Sequence, residues 1–296
     1  MIKSKNRQFA DTRPMFIILF LLFPALAIAQ ENTVQGDHQK YRKEVLENMQ
    51  KVMGNLPKRT AIKRSDIQVI DSVKESGFIR YNILFTVEKN EVLPLYLYVP
   101  VQIGTPKKLP AMLVLHETDP LGRKAVDGQG NKANRSHARE LAQRGYVVIA
   151  PDFPSFGDTE DYNFDTDRYK SGTMKGIFNH MRCIDLLQSR ADVDAENIGA
   201  LGHSLGGHNS IFLAAMDERI KVAVSSCGWT QLDFYNIGAE VEKKYGGRLG
   251  PWAQTRYMPL LRTKYNLENK KVPFDFNLMI AAIAPRAFFS VSPSRD

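Results

Sequence analysis

The chain has 296 residues, 43% hydrophobic, 10% aromatic and 24% charged, with 20 Gly, 15 Pro and 2 Cys. These proportions exclude a disordered, collagen-like, coiled-coil or disulfide-framework protein and leave room for one large α/β domain or two small ones. The formal charge of +8 points first to an anionic partner such as nucleic acid or a membrane surface, and the N-terminus removes much of that argument.

Residues 1–29 carry Lys3, Lys5, Arg7 and Arg13 against Asp11, then an apolar run from Met15 to Ala29 that closes on Ala27-Ile28-Ala29 before Gln30. A basic start, an apolar run and small residues at its end predict a signal peptide cleaved after Ala29. The run is short for a membrane anchor and Pro24 interrupts it. Cleavage removes four positive side chains and one negative one, which takes the charge from +8 to +5 and leaves no block of Lys or Arg. Neither a nucleic-acid partner nor stable membrane insertion is therefore expected, and the mature protein is read as secreted or periplasmic. Cys183 and Cys227 are read as small buried residues, with their pairing left open.

Residues 30–60 are expected to form an N-terminal helical segment, because Tyr41, Val45, Leu46, Met49, Val52 and Met53 recur at helical spacing before the stop signals Gly54 and Pro57. Residues 61–296 are expected to form one α/β domain. From Ile67 to Pro100, period-two stretches around the turn Lys89-Asn90 predict antiparallel strands. Short apolar runs then alternate with helical segments: Ala111–Leu115, a helix from Ser136 to Arg144, Val147–Ala150, a helix from Gly172 to Arg190, Ile198–Leu201, a helix from Leu205, Val222–Ser226 and Ala287–Val291. That alternation predicts a mostly parallel sheet covered by helices on both faces. The stripe Met174, Ile177, Phe178, Met181, Ile184 and Leu187 reads as core, and His180 on the same helix as surface polar. Residues 229–275 break the alternation with Trp229, Tyr235, Tyr245, Trp252 and Tyr257, and are read as an insertion over the active-site edge of the sheet. Trp229, Trp252 and Tyr257 either line a sugar site or form a small core.

The chemistry lies in the loops. Gly202-His203-Ser204-Leu205-Gly206 follows an apolar strand and precedes a helix, which is the nucleophile-elbow pattern. A serine hydroxyl projects from a strained strand-to-helix turn there, and Gly202 and Gly206 let neighbouring backbone approach. Ser204 is thus the expected nucleophile. The oxyanion of a tetrahedral intermediate would be held by the amide of Leu205 and by one from the loop after the first parallel strand, assigned to Thr118. His116, Glu117 and Asp119 in that loop are an alternative metal cluster, set aside because adjacent loop residues do not readily face one ion. No metal and no cofactor is expected.

The elbow at Ser204, the His116-Glu117 loop, the run Ala150-Pro151-Asp152 leading into Pro154-Ser155-Phe156-Gly157-Asp158, and Ala284-Pro285-Arg286 before a late strand together resemble α/β-hydrolases of the dienelactone hydrolase and acetyl xylan esterase type. The resemblance covers residues 77–296. It implies the α/β-hydrolase fold and, together with the signal peptide, an exported serine hydrolase cleaving carboxylic esters, small-molecule or polysaccharide, with an exported prolyl-oligopeptidase-like peptidase as the alternative and, on the missing histidine below, a non-catalytic binding module as a second class. Dienelactone hydrolases use a cysteine nucleophile where this chain has Ser204. The family's loop glutamate, which contacts the resting nucleophile, corresponds to Glu117.

A serine needs an imidazole to accept its proton, and the superfamily order is Ser, acid, His. No histidine follows His208. His208 sits in the helix after the elbow, with doubtful reach; His203 faces elsewhere; His116 shapes its loop; His137 opens a helix. The sequence is therefore read as C-terminally truncated, with Asp296 as the triad acid, Asp233 and Asp152 as weaker acid candidates read mainly as solvated loop carboxylates, and the base beyond residue 296.

Overall fold

This computed structural model describes residues 36–292 except 103, 105 and 106. The expected signal peptide (1–29) and Asp296 lie outside the described residues. The chain divides into two compact units, Met1–Lys43 and Glu44–Asp296. Residues 36–53 are helical (α1). In the second unit α1 buries Val45, Met49, Val52 and Met53, four of the six residues of the predicted stripe, and it ends where Gly54 turns to φ +89°. That left-handed conformation costs glycine nothing and closes a helix.

Among the described residues eight strands form one sheet in the order β1-β2-β3-β5-β4-β6-β7-β8. The first three, β1 (Ile67–Glu75), β2 (Phe78–Glu88) and β3 (Glu91–Pro100), pair antiparallel. Asn90, at φ +63°, makes the hairpin between β2 and β3. The rest, β4 (Leu109–Leu115), β5 (Val147–Pro151), β6 (Val193–His203), β7 (Ile220–Ser226) and β8 (Ala287–Val291), run parallel to one another. β5 joins the two halves by pairing antiparallel with β3. The expected α/β-hydrolase architecture is thus present. Its central strands read as unbroken apolar runs because both faces are covered: every residue of β5 is buried, as is nearly all of β4. On the outermost strand, β8, Phe289 and Val291 are exposed.

The helices after α1 are one-turn α2 (Arg123–Val126), α3 (His137–Gln143), α4 (Gly172–Gln188), α5 (Leu205–Met216), α6 (Ala239–Tyr245), one-turn α7 (Leu260–Thr263) and α8 (Phe276–Ile283). Ser171 starts α4 by accepting the Met174 amide at 3.0 Å. All six residues of the predicted stripe are buried, but so are Lys175, His180 and Arg182. The surface reading of His180 is therefore wrong. Its ring packs near Phe153 with centroids 6.3 Å apart, and burial pushes its pKa down to about 3. α5 is buried over its whole length, between β6 and β7 on one side and α4 and α8 on the other. No helix of the described residues is long and apolar enough to cross a membrane.

Candidate active site

β6 ends at His203 and α5 begins at Leu205, so Ser204 alone makes the corner, at φ +50° and ψ −118°. A non-glycine residue rarely adopts this conformation, and its cost of about 1–3 kcal/mol must be met by the surrounding packing. That packing is visible in the glycines. A Cβ at Gly202 would lie 2.6 Å from the Gly206 Cα, and one at Gly206 would lie 2.9 Å from the His116 carbonyl oxygen and closer still to that of Leu115. The elbow is thus pressed against the end of β4. On the other side the Ser204 amide donates to the Ser226 carbonyl at 2.8 Å. Ser204 itself is half-buried rather than sealed in.

Of the two residues expected to donate to an oxyanion, Leu205 follows Ser204, and Thr118 lies in the loop after β4, the strand whose end meets Gly206. Leu205 is the first residue of α5, whose leading amides have no partner within the helix. Thr118 is an exposed loop residue. Among the described residues neither amide donates to a protein acceptor.

The other loop residues are committed elsewhere. The Phe153 amide donates to Nε2 of His116 at 2.9 Å, so the ring proton sits on Nδ1, 2.6 Å from the Glu117 carbonyl. Both nitrogens are engaged, and burial lowers the pKa of this ring. It shapes the loop, as expected. Glu117 is buried and accepts Arg135 Nε at 3.0 Å, with Lys132 at 3.6 Å. Among the described residues no hydrogen bond joins it to Ser204, and its Oε2 has no partner. Arg135 Nη2 lies 3.1 Å from His203 Nε2, and His203 Nδ1 lies 3.1 Å from Ser226 Oγ. Arginine only donates, so His203 is neutral with its proton directed at Ser226; burial and the Arg135 charge both hold its pKa down. The chain Glu117–Arg135–His203–Ser226 ties together the two loops and the corner, and Arg135 carries no motif by which the sequence could reveal it.

Asp152 is fully buried against Arg123, which overturns its reading as a solvated loop carboxylate. Asp233 is exposed and held by Asn269, as that reading expected. The two cysteines are free, Cys183 buried and Cys227 exposed. The expectation that both are buried fails at Cys227, which adopts φ +50° at the end of β7.

His208 settles the question of reach. Its ring stacks on Trp252, with centroids 4.3 Å apart and planes 3° from parallel, and meets the edges of Phe212 and Phe276 at 4.4 and 4.8 Å. Its Nε2 is buried without a partner among the described residues, and burial pushes its pKa down to about 3. It is a neutral packing ring. An orphaned buried nitrogen costs what a phenyl ring does not, so His208→Phe should leave stability at pH 7.5 unchanged within about 1 kcal/mol. The sign with pH follows from linkage. Below the unfolded-state value of 6.5 only the unfolded chain takes up the proton, so this residue's share of stability falls by about 1.4 kcal/mol per pH unit on acidification. Urea unfolding should therefore find the variant more stable than wild type at pH 5, and a loss above about 2 kcal/mol at pH 7.5 would contradict the packing role.

Ser204, His208, Phe212, Cys227 and Ser292 border a cavity of about 550 Å³ whose remaining wall comes from residues 228–276. The segment read as an insertion thus reaches the site: Trp229 and Trp252 line it, while Tyr257 packs behind Trp252 with centroids 5.1 Å apart.

Residues 133–293 match the family model described as the alpha/beta hydrolase family. YtaP of Bacillus subtilis (strain 168), named as a hydrolase, is 28% identical over 205 residues, 66% of each chain. The carbohydrate esterase MZ0003, from an unknown prokaryotic organism, is 27% identical over 186 residues, 57% of this chain and 41% of that one. A solved structure of a glucuronoyl esterase from Solibacter usitatus superposes with a TM-score of 0.61 at 18% identity, covering 86% of this chain and 74% of that one. This chain spans about two thirds of the length of YtaP and less than half of MZ0003.

Proposed function

The chain belongs to the alpha/beta hydrolase family, and from that premise we propose that it is an exported serine hydrolase of carboxylic esters, with acyl groups on saccharides as the substrate class. The observation that carries the proposal is the half-buried Ser204 hydroxyl at a strained corner, on the edge of a cavity and between two strand ends with unspent amides. The saccharide part draws on the carbohydrate esterase relative, and export on residues 1–29.

Ser204 Oγ attacks the ester carbonyl and loses its proton to a base. The carbonyl oxygen becomes an oxyanion held by the Leu205 and Thr118 amides, each worth about 2.7–4 kcal/mol of barrier. Collapse expels the alcohol with a proton and leaves an acyl group on Ser204, which water then releases as the acid. Asp296 is the proposed acid. Among residues 44–292 no histidine hydrogen-bonds the Ser204 hydroxyl, so the proton acceptor is the part to be supplied. That same observation favours a second reading, a non-catalytic binding module on a hydrolase scaffold.

Added imidazole separates the two. Acetate release from an acetylated xylo-oligosaccharide should be indistinguishable between this chain and Ser204→Ala without imidazole. With imidazole the wild-type chain should exceed the variant by about tenfold, part of the ~10²–10⁴ that a positioned base contributes. Equal rates at every imidazole concentration would favour the module.

A further inference from the structure

The cavity beside Ser204 is large and uncharged. An acetyl group has about the volume of two waters, ~60 Å³ on a share of about 30 Å³ each, against roughly 550 Å³ here. No lining residue among those described is Asp, Glu, Lys or Arg, and burial keeps both titratable rings neutral, lowering the pKa of His208 and raising that of Tyr235. Aromatic and aliphatic side chains, Phe212, Tyr235, Trp252, Phe274, Phe276 and Met258, share the wall with the uncharged polar residues Thr230, Asn236 and Ser292. Phe234, 73% exposed, also lines the cavity, which gives a large apolar side chain in water a reason to be there. Such a site rewards burial of apolar surface and offers a carboxylate or ammonium no counter-charge.

We propose that this cavity binds an aryl-bearing, uncharged arm of the ester in preference to a bare acetyl group or a charged group. The proposal rests on the reading of Ser204 as the nucleophile, since that places the scissile carbonyl at the cavity's edge. One aryl group serves whether it belongs to the acid or to the alcohol of the ester. Aromatic rings offset or edge-on to Phe276 and Trp252 would strengthen binding about two- to tenfold per pair beyond area burial, and the flat stack of His208 on Trp252 gives the wall a preformed surface.

The chain supplies its own reporter. It has two tryptophans, and both Trp229 and Trp252 line this cavity, so intrinsic fluorescence reads its occupancy. Titration with 3-phenylpropionamide as the acid-side probe and 3-phenylpropanol as the alcohol-side probe should give saturable changes in emission. Acetamide and 3-phenylpropanoate should bind at least about tenfold more weakly, in line with what an apolar pocket gains from added hydrocarbon. The tighter of the two aryl probes identifies which side of the ester enters. Phe234→Ala, at an exposed position that the fold does not need, should weaken the aryl probe several-fold. Absence of saturable binding by either aryl probe, or equal binding of acetamide, overturns the proposal. Fluorophosphonate labelling of Ser204 in the same samples, in the presence of imidazole, keeps the two claims apart. Labelling without aryl binding leaves a hydrolase with a different substrate. Aryl binding without labelling removes the nucleophile on which the proposal rests and overturns it as an ester subsite.

Discussion

Replacing Arg123 with Ala should lower the unfolding free energy at pH 7 by about 3–5 kcal/mol, the cost of leaving a buried charge without its partner. The Arg123 and Asp152 side chains are 1% and 0% exposed. Asp152 accepts the Arg123 guanidinium and the backbone amides of Arg123 (2.7 Å) and Asp158 (3.0 Å). The other guanidinium nitrogen reaches Asp158 at 2.6 Å and Asn82 at 3.2 Å, and the guanidinium lies over Tyr96 at 4.6 Å. This pair fastens the loop after β4, which carries Thr118, to the loop after β5. Burial raises the Asp152 pKa and Arg123 opposes that rise. In Arg123→Ala the opposition is gone, so the folded state holds the proton to a higher pH than the unfolded state does. Stability relative to wild type should then be lowest at neutral pH and recover as pH falls through the raised value. The double variant Arg123→Met with Asp152→Asn, which removes the charge and keeps an acceptor for the two amides, should lose less than the single one. Urea unfolding of the three proteins at pH 7 and pH 4.5 checks both statements, and a single variant no weaker than the double would refute the burial argument.

Gly206→Ala should cost about 3 kcal/mol and abolish any chemistry at Ser204. The new Cβ would overlap the Leu115 carbonyl and press on His116 O. Both are backbone atoms at the end of β4, so relief requires the strand end and the elbow to part. Overpacking of side chains costs about 1–3 kcal/mol, and backbone yields less. The same separation carries the Thr118 amide away from the Leu205 amide, and loss of one oxyanion donor is worth about 10²–10³ in rate. Gly145, at φ +92° with nothing within 4 Å of its Cβ position, is the control. Its substitution should cost only the strain of a left-handed alanine, about 1–2 kcal/mol, and leave the site intact. Thermal unfolding of both variants and the imidazole-dependent rate of the folded fraction measure the two effects separately.

The parts of the molecule legible in the sequence are those set by local period. β4 to β8 appear as apolar runs because strands covered on both faces need no polar alternation, and the α4 stripe appears because a helix shows one face to the sheet. The elbow is legible because only glycine tolerates the approach of Leu115 and His116. The remainder depends on residues far apart in the chain. Lys175 and His180 look like surface polar residues until Lys175 meets Glu88 at 2.8 Å, 87 positions away, and His180 comes to lie beside Phe153. Arg135 joins Glu117 to His203 across 18 and 68 positions, and no spacing rule finds such a bridge. Cys227 has the φ of Ser204 without a glycine pattern to announce it. The aromatic cavity draws on α5, the β7 loop and residues 229–276, so its existence depends on how that last stretch folds.

The most direct measurement is peptide mapping of the chain after reaction with a fluorophosphonate at pH 8, with and without imidazole. If Ser204 is a nucleophile presented between the Leu205 and Thr118 amides, a single adduct forms on it, faster with imidazole, and Ser204→Ala carries none. An adduct on another serine, or none at any imidazole concentration, would contradict it.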